Sequence, residues 1–386
     1  MIEADDFLTP LKKEGFTFVS GVPCSFLTPF INRVIDSEDF DYIGASSEGE
    51  AVGINLGAHL AGRSTVALCQ NSGLGNMVNP LTSLNMPFRV PSLLVVTHRG
   101  EPGRADEPQH ELMGRVTHSL LDTIEISHLP FPESQEQVGP TLTDALGRMQ
   151  RDQLPVALVM RKGSVAPSAL MSGEETRHRH GLSLASFPSS VPMDSLPTRM
   201  QAIETVLKRV SEETAIIATT GKTGRELFTA ADRKQHFYVV GGMGTASAIG
   251  LGVAINQPGR PVVVLDGDGA ALMKLGAFAT IGAQAPRNLL HLVLDNQVHD
   301  STGGQATTSG SCRFAEIAQA TSYRHVAEAA SLDSLDSLIP ELLQRKGPNL
   351  LHLRIQPGSI SPLGRPDLTP VAVKERFMKF LQSPSA

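Results

Sequence analysis

Two blocks of the 386-residue sequence share one pattern, in which short apolar runs of strand length alternate with helical stretches. This alternation is typical of parallel α/β units, in which helices cover a parallel sheet. In the first block, residues 1–165, the predicted strands are 16–20, 42–45, 65–69, 92–97 and 156–160. The predicted helices of this block are 26–35, 49–60, 74–84 and 141–150. The pattern predicts an α/β domain that is doubly wound.

The second block, residues 198–386, repeats the alternation and predicts a second doubly wound parallel-sheet domain. Its predicted strands are 215–218, 237–240, 262–266, 290–295 and 350–355, with helices at 199–210, 246–255 and 272–285. Between the blocks, residues 166–197 lose apolar periodicity and accumulate Pro, Ser, His and Arg, which predicts a linker. Its cluster Arg177-His178-Arg179-His180 is interpreted as solvated charge, against the alternative of a metal or phosphate patch.

Composition and charge exclude several classes of function. A net charge of -6 without a run of Lys or Arg argues against binding to nucleic acid, and the apolar runs are too short for a membrane span. The N-terminus lacks the basic and apolar stretches of a secretory signal, which predicts a cytoplasmic protein. The three cysteines, Cys24, Cys69 and Cys312, are too dispersed for a disulfide framework or a zinc site. The expected partners are small molecules and sister chains.

The strongest local signal is a carboxylate held between two glycines after a strand. Asp268 lies between Gly267 and Gly269, just beyond the apolar run 262–265. Open α/β sheets bind ligands at this edge, and the N–H groups that open the following helix at Ala270 favour a phosphate. A carboxylate that faces a phosphate requires a cation between them.

A second polar group follows the next strand. Asn296 comes directly after the predicted strand 290–295, and parallel neighbouring strands would place it beside Asp268. Mg²⁺ prefers oxygen ligands and retains phosphate oxygens and water in its shell. The two strand ends therefore predict a phosphate-bearing cofactor held through magnesium.

Gly267-Asp268-Gly269, a spacer from 270 to 294 and Asp295-Asn296 together resemble the cofactor-binding motif of thiamine-diphosphate-dependent enzymes. The resemblance implies that thiamine diphosphate and Mg²⁺ are the cofactors. It also implies that Asp268, Asn296 and the carbonyl of Val298 are the metal ligands.

The same resemblance extends to residues that precede the metal motif. Met243 resembles the bulky residue that props the cofactor in its bent form, and the Gly241 carbonyl is the implied acceptor for the pyrimidine amino group. Thr220 and Gly221, at another strand end, are suited to contact the diphosphate. For Lys222 and Arg225, a ligand role and a solvated position remain open alternatives.

Thiamine chemistry in this family needs a carboxyl group bonded to the pyrimidine ring nitrogen. The family's Glu precedes an Ala by three positions and a Gly by nine, and Ala51 and Gly57 therefore select Glu48. The competing residue, Glu50, is interpreted as a charge at the start of a helix, where it interacts with the dipole.

The order of the two domains matches the family, but the short linker replaces the central domain of larger members. This resembles the compact members that decarboxylate phosphonopyruvate or sulfopyruvate, as do the stretches 21–25, 70–76 (with Asn71 as a cofactor contact), 99–103, 106–110 and 300–305. The resemblance implies decarboxylation of a small anionic 2-oxo acid, with phosphonopyruvate preferred and sulfopyruvate open. It also implies an obligate homo-oligomer whose active sites are shared between chains.

Candidates for the substrate's second anionic group follow from the same comparison. Ser25 stands where pyruvate decarboxylase has an acidic residue, and the loss of that charge suits a substrate with two anionic groups. Arg99, Arg104, His110 and His299 are candidate phosphonate contacts, and each is equally compatible with a surface or supporting position.

Two rival functions are compatible with parts of the sequence. A nicotinamide oxidoreductase is suggested by Gly242-Met243-Gly244 after a strand, with Asp266 at a plausible distance for the ribose. Ser247 stands where the third glycine of that fingerprint is required, and Asp268 and Asn296 are left without a role. A non-catalytic paralogue is the other alternative, and it requires that Glu48 is misassigned.

Overall fold

The computed structural model describes residues 1–172, 180–187 and 191–383. The chain divides into two compact units, Met1–Glu175 and Thr176–Ala386. Of the basic cluster predicted to be solvated in the linker, Arg177, His178 and Arg179 lie outside the described residues. None of the helices within the described ranges has both the length and the apolar character needed to cross a membrane.

The first unit contains a parallel sheet whose described strands follow the order β2-β1-β3-β4-β6-β5. These strands are β1 Phe16–Gly21, β2 Asp41–Gly44, β3 Ser64–Gln70, β4 Leu93–Thr97, β5 Ser127–Pro130 and β6 Val156–Met160. The helices are α1 Ala4–Lys13, α2 Thr28–Ile35, α3 Glu48–Leu60, α4 Leu74–Pro80, α5 Met86–Phe88, α6 Glu111–Thr123 and α7 Gln135–Asp152. A π-helical turn, Leu81–Asn85, joins α4 to α5.

Both faces of this first sheet are covered, as expected for a parallel sheet. One face packs against α1, α2 and α7 through an aromatic cluster of Phe7, Phe30 and Phe131. On the other face, the small residues of α3 allow close approach to β1, where Ser20 Oγ donates to Asn55 Oδ1 at 2.8 Å. This contact fixes α3 and therefore the position of Glu48, the first residue of that helix.

The second unit contains a parallel sheet with the order β7-β14-β15-β11-β10-β8-β9 among its described strands. They are β7 Leu182–Ala185, β8 Ala215–Ala218, β9 His236–Tyr238, β10 Val262–Gly267, β11 Leu289–Asp295, β14 His325–Ala329 and β15 Asn349–Arg354. A short antiparallel hairpin consists of β12 Val298–His299 and β13 Gln305–Ala306. The helices are α8 Arg199–Arg209, α9 Lys222–Ala230, α10 Ala246–Asn256, α11 Asp268–Met273, α12 Ala277–Gln284, α13 Phe314–Ala320, α14 Leu332–Gln344 and α15 Pro370–Gln382. The prediction of two doubly wound parallel-sheet domains is confirmed.

The interval 166–197 is not a linker along its whole length. Its first part is tied to the first unit, because the backbone N–H groups of Met171 and Ser172 donate to Asp36. Its later part contains β7, which pairs with β14 at the edge of the second sheet. The Pro- and Ser-rich composition concealed both contacts, since an edge strand needs no continuous apolar run.

The single helix predicted over 272–285 is also wrong, because the chain forms two helices there. The first, α11, begins at Asp268, four residues earlier than predicted, and ends at Met273. The second, α12, begins after Gly276, a residue type that weakens a helix interior. The break places the short α11 directly at the end of β10.

Candidate active site

The ends of two neighbouring strands define a pocket in the second unit. Strands β10 and β11 pair in parallel with Gly267 opposite Leu294, so Asp268 and Asn296 follow the strands at the same edge of the sheet. Both residues line a pocket of about 450 Å³. The pocket lining also includes other residues of the predicted site, namely Thr220, Gly221, Met243, Gly267, Gly269, Ala270, Val298 and His299. Gly241 is not part of the lining; it lies in the loop before α10 with a φ of 67°.

Asp268 is buried, with 3% of its surface exposed. Burial raises the pKa of its carboxyl group and the nearby Asp295 adds to the shift, while a hydrogen bond from Thr307 opposes it. Thr307 Oγ1 donates to Asp268 Oδ2 at 2.5 Å. A cation in the pocket would offset the cost of this buried charge.

Asn296 is held by two hydrogen bonds of opposite polarity. Its Nδ2 donates to Asp300 Oδ2 at 2.6 Å, and its Oδ1 accepts from the Val298 backbone N–H at 3.2 Å. Between them, Gln297 has a left-handed backbone with a φ of 62°. This tight turn brings the Asn296 side chain and the Val298 backbone close together.

The donor set fits a hard divalent cation. One carboxylate, one amide oxygen and one backbone carbonyl match the oxygen ligands that Mg²⁺ prefers, with positions left for phosphate and water. Among the residues that the structure describes, no group of three or more His, Cys, Asp or Glu could hold a metal ion. Because all three candidate ligand atoms are oxygens, this edge suits Mg²⁺.

The surrounding backbone leaves space for a phosphate group. A Cβ atom added at Gly267 would meet nothing within 4 Å, whereas one at Gly269 would lie 2.7 Å from the His299 ring. His299 therefore packs over Gly269, at the start of α11. Thr219, which the sequence did not single out, also lines the pocket, and its hydroxyl is buried without a hydrogen-bond partner. This hydroxyl is available to a ligand oxygen.

The structure separates the two open alternatives for the cations of α9. Lys222 lines the pocket as the first residue of that helix. Arg225 instead donates to the backbone carbonyls of Leu363 and Gly364, at 2.7 and 2.9 Å. Arg225 therefore has a structural contact, and Lys222 remains the candidate ligand.

In the first unit, Glu48 begins α3 and is half-buried. Its Oε2 accepts from Asn76 Nδ2 at 2.8 Å, and Gly73 lies so close that an added Cβ would be 2.2 Å from Oε1. Glu50 is buried, and its Oε2 accepts from the Ser46 backbone N–H at 2.8 Å. Glu50 thus accepts a backbone hydrogen bond just before the helix, and the roles of Glu48 and Glu50 stay predictions.

Asn71 lies at the start of a 3-10 turn, Asn71–Gly73, directly after β3. It is buried, and its Nδ2 donates to the Arg99 carbonyl at 2.7 Å and to Thr117 Oγ1 at 3.0 Å. Its Oδ1 is buried without a partner. The Asn71 side chain therefore holds the segment after β4 through the Arg99 carbonyl, and its Oδ1 remains an unused acceptor. Its role as a cofactor contact stays a prediction.

The candidate phosphonate contacts of the first unit have different surroundings. Arg99 forms a two-pronged ion pair with Asp106, donates to Ser25 Oγ at 2.9 Å and lies over the Phe26 ring. Hydrogen bonding to Arg99 holds the pKa of Asp106 well below its ordinary value. The Arg99 charge is therefore paired with that of Asp106, and the hydrogen bond from Arg99 to Ser25 Oγ positions Ser25.

Arg104 and His110 are the other candidate phosphonate contacts of the first unit. Arg104 forms an ion pair with Glu101 at 3.0 Å and is half-exposed. His110 is buried at the end of the 3-10 turn Pro108–His110, where Gly100 packs against its carbonyl. Arg104 is therefore paired with a carboxylate, His110 is buried, and both assignments stay predictions.

Comparisons with known proteins identify the family. The N-terminal TPP binding domain of thiamine pyrophosphate enzymes matches residues 3–125, and the C-terminal TPP binding domain matches residues 219–353. A phosphonopyruvate decarboxylase of Streptomyces viridochromogenes is 46% identical over 100% of this chain and 96% of its own length. A sulfopyruvate decarboxylase of Methanosarcina acetivorans is 28% identical over 96% of this chain and 95% of its own length.

A solved structure supports the fold. The thiamine diphosphate-dependent 4-hydroxybenzoylformate decarboxylase of Rhodococcus jostii is similar, with a TM-score of 0.71 at 14% identity, over 93% of this chain and 100% of the other. The nicotinamide alternative has no support in these findings. The chain belongs to the thiamine pyrophosphate enzymes, in the family that contains the phosphonopyruvate decarboxylases.

Proposed function

We propose that the protein decarboxylates 3-phosphonopyruvate to phosphonoacetaldehyde and CO₂, as a step of phosphonate biosynthesis. The observation that carries this proposal is the 46% identity over the full chain to a phosphonopyruvate decarboxylase, compared with 28% to a sulfopyruvate decarboxylase. Sulfopyruvate is the alternative substrate, because it also joins a 2-oxo acid to a second anionic group.

The residues that would hold the cofactor belong to both units. Asp268, Asn296 and the Val298 carbonyl would hold Mg²⁺, and the N–H groups that open α11 would bind the diphosphate together with Thr220 and Gly221. Met243, the Gly241 carbonyl and Asn71 would contact the remainder of the cofactor. Bound thiamine diphosphate would supply the electron sink for cleavage of the carbon–carbon bond.

Glu48 is the proposed acid–base residue. Its carboxyl group would hold a proton opposite the pyrimidine ring nitrogen, and the Asn76 amide would keep it in place. Arg99 would position the neutral Ser25 hydroxyl, which spares an anionic substrate the repulsion of an acidic side chain. Arg104, His110 and His299 remain candidates for contact with the phosphonate, which needs cationic or N–H donors.

We also propose that the protein acts in the cytoplasm as an obligate homo-oligomer with active sites shared between chains. Its pyrimidine-binding and diphosphate-binding matches occupy separate units of one chain, which is compatible with a site completed by a second copy.

A substrate comparison tests the proposed activity. Apo protein reconstituted with thiamine diphosphate and Mg²⁺ should release CO₂ from phosphonopyruvate with a higher kcat/KM than from sulfopyruvate, pyruvate or oxaloacetate. A higher value for sulfopyruvate would replace the proposed substrate. Release of CO₂ from none of the four would contradict the activity itself, and NAD without thiamine diphosphate should give no spectral change.

A further inference from the structure

The polar loop 300–304 has no role in the function described above. It connects β12 to β13, and the N–H groups of Thr302 and Gly304 both donate to the His299 carbonyl. Gly303 and Gly304 have positive φ values of 117° and 82°. The loop is thus a closed turn whose first residue, Asp300, points back to the end of β11.

The Asp300 carboxylate is almost fully used by neighbouring donors. Its Oδ2 accepts from Asn296 Nδ2 at 2.6 Å and from Arg199 Nη2 at 2.5 Å, and its Oδ1 accepts from the Gly358 N–H at 3.0 Å. A carboxylate has about four acceptor positions, and three are occupied here. Asp300 is therefore suited to support Asn296, and little of it remains for a metal ion.

Arg199 forms ion pairs with this carboxylate and with that of Glu226. The guanidinium is buried, with 5% exposed, and its Nη1 donates to Glu226 Oε1 at 3.1 Å and to the Gly358 carbonyl at 3.0 Å. A buried carboxylate without such a partner would be costly, and it would repel the phosphates expected in the same pocket. Arg199 thus allows an acidic residue to stand next to Asn296.

We propose that Asp300, supported by Arg199, is a positioning residue that fixes which atom of the Asn296 amide, the oxygen or the nitrogen, is presented to the metal ion. This inference rests on the proposed metal site. Of the two polar atoms of the Asn296 amide, only Nδ2 can donate to the Asp300 carboxylate. A reversed amide would place Oδ1 against Asp300 Oδ2 and Nδ2 against the Val298 N–H. Both contacts would then be repulsive, so the amide is locked with its oxygen available as a ligand.

The test measures metal affinity without turnover. Mn²⁺ replaces Mg²⁺ and is titrated into protein in a fixed excess of thiamine diphosphate, and its free-ion electron paramagnetic resonance signal measures the unbound ion. Asp300→Ala should raise the Kd for Mn²⁺ by about 10–100-fold, the loss typical of residues that orient metal ligands. In assays, the variant should need more Mg²⁺ for half-maximal rate, with kcat at saturating Mg²⁺ much less affected.

Two further variants separate orientation from folding. Asp336→Ala is the matched control, because it also removes an Asp carboxylate that pairs with an Arg, here the exposed pair with Arg209 in the same unit. It should leave the Kd for Mn²⁺ unchanged. Asp300→Asn retains an acceptor for the Asn296 amide and should restore most of the affinity lost in Asp300→Ala. If Asp300→Ala loses the wild-type circular dichroism, Asp300→Leu takes its place, because it fills the volume without an acceptor.

The outcomes distinguish this inference from the proposed function. Wild-type protein that binds Mn²⁺ while Asp300→Ala binds it equally well would overturn the role of Asp300 and leave the metal site standing. An Asp300→Asn variant as weak as Asp300→Ala would also overturn it, since orientation would then not be the cause. Wild-type protein that binds no Mn²⁺ with thiamine diphosphate present would overturn both.

Discussion

The Glu48→Gln variant should lose about 10²–10⁴-fold in kcat, the usual contribution of a general acid–base residue. Glutamine can still accept the hydrogen bond from Asn76 Nδ2, so the helix start and the local packing should be retained. What it loses is the ability to hold and release a proton. The measurement is steady-state CO₂ release at saturating thiamine diphosphate, with cofactor affinity determined separately and expected to change little.

Glu50→Gln is the matched control for this experiment. Glu50 is two residues away on the same helix, and its Oε2 accepts from the Ser46 N–H, which a glutamine oxygen can also do. Its turnover should stay within a few-fold of wild type. The opposite pattern, with Glu48→Gln active and Glu50→Gln inactive, would assign the proton chemistry to Glu50.

The Asp268→Asn variant should lose thiamine diphosphate affinity by more than about 100-fold in the presence of Mg²⁺. Removal of one partner from a buried charge pair costs about 3–5 kcal/mol, and each 1.4 kcal/mol corresponds to about tenfold in affinity. Calorimetric titration of thiamine diphosphate into the variant and the wild type, each with saturating Mg²⁺, measures this loss directly.

The apo form of Asp268→Asn provides the control. Burial raises the pKa of Asp268, so at neutral pH its charge opposes folding when no cation is present. The variant without cofactor should therefore unfold at the same temperature as apo wild type or higher, although its cofactor binding is lost. A large fall in apo stability would show that weak binding came from damage to the fold.

The meeting of Asp268 and Asn296 at one edge of the sheet was predictable because its signals are local. Asp268 and Asn296 each follow a largely apolar strand, β10 or β11, and parallel strands of the same sheet end at the same edge. The glycines beside Asp268 added a further local signal, since Gly269 is required by the close approach of the His299 ring. Spacing along the chain was therefore sufficient to bring these residues together.

The elements that the sequence did not predict lack such a local signal. Strand β14 reads His-Val-Ala-Glu-Ala, with a composition that does not favour strands, and its Glu328 is buried beside His352 of the next strand. Strand β5 ends in Pro130 at the edge of the first sheet, where the missing N–H is tolerated. Both strands form because of their neighbours in the sheet.

The partners of charged residues could not be predicted from the sequence either. Arg199 and Asp300 are 101 positions apart, and only the fold brings them into contact. The ion pair between Arg99, a predicted phosphonate contact, and Asp106 was not predicted either. Thr307 donates to Asp268 from the far end of a hairpin, which no spacing rule indicated.

The central premise of the proposed function is that Asp268 and Asn296 hold the cofactor's diphosphate through a magnesium ion. Equilibrium dialysis of wild-type protein with thiamine diphosphate, with and without Mg²⁺, tests it most directly. We expect retention of about one cofactor per chain with Mg²⁺ and almost none after chelation of divalent ions. Equal retention in both conditions would contradict the role given to these two residues.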